Sequence, residues 1–190
     1  MSRIAKLAAL VPFVVVLACT DPNQAPAAAA IAAGEAALAT LGTDAAAFAP
    51  DGVAAARKSL VTAKELFGTK EFEGALKAAS GVPAKVKETV AAAAAKKAEL
   101  GKAWDDAAGR VTATVSAIKQ RLADLGKGKK LPAGVSRAVM EKASEGAAAV
   151  ESGLAKLSED VKGGMLTEAV AGAKALQAKG EEIMKSLGSP

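Results

Sequence analysis

The sequence predicts an all-α protein: an antiparallel helical bundle of about five amphipathic, coiled-coil-like helices, one of them long. Three observations predict it. Alanine supplies about a quarter of the 190 residues, far above ordinary usage, and it has the highest intrinsic helix propensity. From Ala27 onward apolar residues recur at alternating steps of three and four, the spacing of one helix face, and nothing alternates convincingly with period two. The breaks between stripes are short and carry Gly or Pro, so neighbouring helices are expected to run antiparallel.

Ile31, Gly34, Leu38, Leu41, Ala45 and Phe48 form the first stripe. Ala49-Pro50-Asp51-Gly52 ends it, with Asp51 a good N-cap for the next helix. Val53, Ala56, Leu60, Ala63 and Phe67 form the second stripe; Gly68 closes it, and Thr69 is expected to cap a third helix opening with Phe72, Ala75, Leu76 and Ala79. Ser80-Gly81-Val82-Pro83 breaks or kinks that helix, because Pro83 lacks an N–H and its ring clashes with the preceding turn. Ala84–Leu125 then reads as one helix about 63 Å long. Its seam includes Val86, Val90, Ala93, Lys97, Leu100, Trp104, Ala108 and Val111, with Lys97 the one charged member. Val111–Ile118 has strand-like composition, but the seam runs through it in phase and it is read as helix. Gly126–Pro132 forms a loop. Val135, Val139, Lys142, Gly146, Val150, Leu154, Leu157 and Val161 define the next helix, closed by Gly163-Gly164. The last runs from Leu166 through Ala169, Val170, Ala173, Leu176 and Gly180 to Leu187.

The first residues obey a different grammar. Arg3 and Lys6 make a positive start, and Leu7–Leu17 is an apolar run far shorter than the roughly 20 residues that span a bilayer. It ends Val16-Leu17-Ala18-Cys19, which resembles the lipobox of bacterial lipoproteins, with Leu17 a mild departure. The resemblance implies cleavage before Cys19, a diacylglycerol on the Cys19 thiol, and acylation of the freed amine. Residues 1–18 are then a signal peptide, 19–26 a lipid-anchored tether and 27–190 the alanine-rich bundle. Thr20, rather than Asp, follows the Cys, which in lipoprotein sorting implies the outer membrane, with the chain facing the periplasm.

A shift of 94 residues superposes two helical hairpins. Leu60 falls on Leu154, Phe67 on Val161, Phe72 on Leu166, Ala75 on Ala169 and Ala79 on Ala173. A duplication leaves such a pattern, and so do any two alanine-rich amphipathic hairpins. Over Phe48–Ala79 the chain also resembles an alanine-rich helical domain of unknown function found in bacterial envelope lipoproteins. The residues that carry the likeness are Phe48-Ala49-Pro50, Ala56-Arg57-Lys58-Ser59-Leu60, Ala63-Lys64, Lys70, Phe72 and Ala75–Ala79. It implies an envelope location and a helical fold, and it lends no activity and no catalytic residues.

Composition excludes much chemistry. There is no His, so there is no His general base, no Ser-His or Cys-His pair and no His-bearing metal site; one Cys cannot form a disulfide within the chain. Adjacent acids such as Asp105-Asp106 point about 100° apart on a helix and make no carboxylate dyad. No catalytic residue, metal or cofactor is expected. Net charge is +5 from 25 Lys+Arg against 20 Asp+Glu, and +3 (23 against 20) once Arg3 and Lys6 are removed, which argues against nucleic acid. Aromatics at 3% argue against a base-stacking platform. The candidate residues are therefore Cys19 for lipidation, and Trp104, Lys127, Lys129 and Lys130 for partner contacts. Trp104 is a core residue or a docking anchor; the three lysines form a solvated loop or touch anionic lipid or wall polymer. Expected partners are the membrane, through lipid on Cys19, and an envelope protein or a second copy. The expected role is a non-catalytic envelope scaffold or adaptor; the alternative is a peptidoglycan- or small-ligand-binding lipoprotein.

Overall fold

Seven α-helices and no strand are present among the described residues, 21–128 and 131–188, of the computed structural model. They are α1 (Gln24–Ala39), α2 (Thr43–Phe48), α3 (Pro50–Gly68), α4 (Phe72–Ser80), α5 (Val82–Lys127), α6 (Arg137–Lys162) and α7 (Leu166–Ser186). The expected all-α helical bundle is the observed architecture. VTATVSAI lies inside α5, a helix of 46 residues, and α5 opens at Val82 with Pro83 in its first turn, where the missing N–H breaks no helical bond.

Several boundaries differ from the sequence reading. The first stripe is two helices, because the chain leaves helical geometry at Gly42, which is extended at φ −81° and ψ 176°. Asp51 caps nothing: α3 opens at Pro50, which is preorganised for a first helical position, and Asp51 sits in the first turn, favourably placed toward the helix dipole. Thr69 is no cap for α4 either. Its hydroxyl donates to the Leu66 carbonyl and to Glu71 Oε1, both at 3.0 Å. The cap that does form is at α6, where Ser136 Oγ accepts the Val139 N–H at 3.3 Å.

The chain divides into two compact units. Unit 1 holds the described residues up to Thr40 together with Ala54–Val86, and unit 2 holds Leu41–Val53 and the described residues from Lys87 onward. In unit 1, α1 packs along α4. Its core is dominated by alanine: Ala27, Ala56, Ala63, Ala75 and Ala79 are buried, with Leu60, Val82 and Val86 the larger members. Small side chains let helix axes approach closely, at the expense of apolar area per residue. Gly34 shows how close: a Cβ added there would lie 3.1 Å from Leu60 Cδ1 and 3.3 Å from Val82 Cβ. Phe67 and Phe72 meet edge to face across the α3–α4 corner, 5.1 Å between centroids.

Unit 2 has a larger-residue core. Val111 and Val115 of α5 pack with Val150 of α6, and Ile118 and Leu125 pack with Ala143, Ala147 and Leu187. A smaller cluster joins Ala45, Val53 and Ala93, with Phe48 half-buried against it. The Arg121 guanidinium donates to the Leu187 carbonyl at 3.4 Å, closing the end of α7.

The two hairpins superposed by the 94-residue shift turn their corners alike. After α3, the N–H groups of Thr69, Lys70 and Glu71 donate to the carbonyls of Glu65, Phe67 and Leu66. After α6, those of Gly163, Gly164 and Met165 donate to Glu159, Val161 and Asp160, each 94 residues on. This is a Schellman closure, with one residue in the left-handed region: Lys70 at φ +65° in the first corner, Gly164 at φ +90° in the second.

Candidate functional site

Cys19, Lys129 and Lys130 lie outside the described residues. Lys127 is the last residue of α5, exposed, with its ammonium 4.0 Å from Asp124 Oδ1. Trp104 is half-buried on α5, on a stretch between Ala93 and Ala107 in which no residue is fully buried. Residues 104 and 127 are about 35 Å apart along one helix, so the structure does not bring these two candidates together. The α5 seam also differs in register: Val90 is 45% exposed and Thr89 is buried in its stead. Lys142, read as a seam member of α6, is exposed, and Ala143 takes the buried position.

Lys97, the charged member of the expected seam, is instead part of a cleft in unit 2. The extended Gly42 starts α2, which presents Asp44 and, one turn later, Phe48. Ala93 buries itself in the small cluster with Val53, and Lys97 follows one turn along α5. Its ammonium meets Asp44 Oδ2 at 2.7 Å and lies 6.0 Å from the centre of the Phe48 ring, a cation–π distance. The opposite wall is the α6–α7 corner, with Val161, Lys162, Gly163, Gly164 and Leu166. The cleft has a volume of about 550 Å³. Lys162 is paired with Glu159 at 2.7 Å. Apolar groups (Phe48, Val161, Leu166) thus share a concavity with two ammonium groups and one carboxylate. Such a lining suits a ligand with an apolar body and an anionic group. No cluster of three metal-ligating side chains occurs among the described residues.

The chain matches no family model, no curated protein and no solved structure.

A second concavity, of about 430 Å³, lies in unit 1 where the described chain begins. Asp21 and Asn23 line it from one side; Lys70, Glu71, Phe72, Glu73 and Lys77 of the α3–α4 corner line it from the other. The Asp21 carboxylate accepts the Asn23 N–H at 2.8 Å, and the Asp21 carbonyl accepts the Gln24 N–H at 3.0 Å. Helix α1 thus starts at Gln24, with Pro26 in its first turn. Three of the residues read as tether, Gln24–Pro26, are helical, because Pro is tolerated where a helix has no N–H partner to offer.

Sequence reasoning missed both concavities. The signal for the first was Lys97 itself, a charge in an otherwise apolar seam that asks for a partner. The signal for the second was the register that sets Lys70 against Gly164.

Proposed function

We propose that the chain is a lipid-anchored bacterial envelope protein, facing the periplasm from the outer membrane, that works as a non-catalytic scaffold or adaptor. The observation that carries this reading is Val16-Leu17-Ala18-Cys19, with the chain's one Cys at the end of a short apolar run. Two or three acyl chains at Cys19 hold a protein firmly, since each buried CH₂ contributes about 0.8 kcal/mol. Cell fractionation of a Cys19→Ser variant tests the anchor: the protein is expected to move from the membrane to the soluble fraction. Equal membrane association of the variant would overturn the reading.

The second reading is binding of wall polymer or a small ligand. It is favoured by the unit 2 cleft, where Phe48 and Leu166 lie beside the Lys97 and Lys162 ammonium groups.

A further inference from the structure

The groove at the start of α1 has three properties that belong together. First, it is tied to the anchor position. Asp21 is two residues after Cys19, a span of at most about 7 Å. From Asp21 the backbone is fixed: its carbonyl and carboxylate both hold the first turn, and the Asn23 carbonyl accepts the Ala27 N–H at 2.9 Å. Second, its charge is mixed. Lys70 and Lys77 face the same concavity as Asp21, Glu71 and Glu73. Neither sign dominates, which disfavours a polyanionic partner and suits a group carrying both an ammonium and a phosphate. Third, it contains the one non-glycine residue with positive φ among those described, Lys70. The equivalent corner of the other hairpin uses Gly164, which adopts that conformation freely. A lysine kept in a strained conformation that glycine would relieve points to a use for its side chain.

We propose that this end of unit 1 is a membrane-contact face that seats the zwitterionic phospholipid headgroups around the Cys19 anchor. The proposal rests on the lipid-anchor reading. Lys70 and Lys77 meet headgroup phosphates, and Asp21, Glu71 and Glu73 meet headgroup ammonium groups. The short link keeps Asp21, and with it this end of unit 1, within about 7 Å of the acylated residue.

The test uses the full-length acylated protein in vesicles of equimolar phosphatidylcholine and phosphatidylethanolamine with a nickel-chelating lipid as a headgroup relaxer. The sole native Cys is blocked by acylation, so an introduced Cys takes a spin label cleanly. Gly68→Cys places a label beside the groove, where an added Cβ meets nothing within 4 Å. Thr40→Cys places one at the far end of α1, about 25 Å away. Relaxation is expected to be several-fold stronger at 68 than at 40. Combining Lys70→Gly with Lys77→Ala should reduce the signal at 68 while the helical circular dichroism stays unchanged. Equal relaxation at both sites in a protein whose mass shows acylated Cys19 overturns the membrane face alone. A several-fold gain on replacing the zwitterionic lipids with phosphatidylglycerol overturns the headgroup assignment. An unmodified Cys19 in the same preparation overturns the anchor reading and this proposal with it.

Discussion

Lys70 and Gly164 do the same geometric work with different chemistry. Each is the left-handed residue of a Schellman corner, and each N–H completes the same pattern of bonds. A side chain in that region costs roughly 1–2 kcal/mol relative to ordinary helical geometry, and glycine escapes the cost. Lys70→Gly is therefore expected to stabilise the protein by about 1 kcal/mol, read as a raised midpoint in urea unfolding. Loss of stability would show that the Lys70 side chain contributes more to the fold than its strain removes. The sequence alone marks position 164 as a helix stop, because it holds glycine. It gives no such mark at 70, since only the comparison of the two hairpins shows that a lysine occupies the glycine's place. The Asp44–Lys97 pair was illegible for a related reason. Its partners are far apart in sequence, and periodicity reports faces, not which residue of one face meets which of another.

At the scale of elements, most helices were legible and their registers were less so. Alanine-rich helices have wide, weakly contrasted apolar faces, so a seam can rotate by one residue at little energetic difference. That is why Thr89 is buried where Val90 was expected, and Ala143 where Lys142 was. What fixes the observed register is close contact at a few small residues. Gly52 of α3 is the tightest: a Cβ there would lie 2.5 Å from Thr89 Oγ1 and 2.9 Å from its Cγ2. Thr89 is buried and β-branched, so it has no flexible end to swing aside. Gly52→Ala is expected to destabilise the protein by about 1–3 kcal/mol, despite the better helix propensity of alanine. An unchanged thermal midpoint would mean that α3 and α5 are free to shift at this contact. The separation of α1 from α2 escaped the sequence reading because the apolar stripe continues in phase across Thr40–Gly42 while the backbone does not.

For the molecule as a whole, the proposed function assigns membrane attachment and partner recognition to different parts of the chain. No helix among the described residues is long and apolar enough to cross a membrane. In the proposed arrangement the hold on the bilayer comes from acyl chains at Cys19. The unit 2 cleft then decides between an adaptor and a binder of wall polymer. Under the binding reading, the protein co-sediments with purified peptidoglycan at low salt and is released as salt is raised, since two of its cleft contacts are lysines. Phe48→Ala should weaken that co-sedimentation several-fold. Absence of any salt-sensitive pelleting leaves the adaptor reading standing alone. The alanine seams have a last consequence, which concerns what such a chain can vary. A seam position in close helix contact admits one size of residue: a larger one separates the axes, and glycine gives up helix propensity. The faces away from the seam are under no such constraint. A protein built this way thus accepts exchange along its outer faces far more readily than in the rhythm of small residues between its helices.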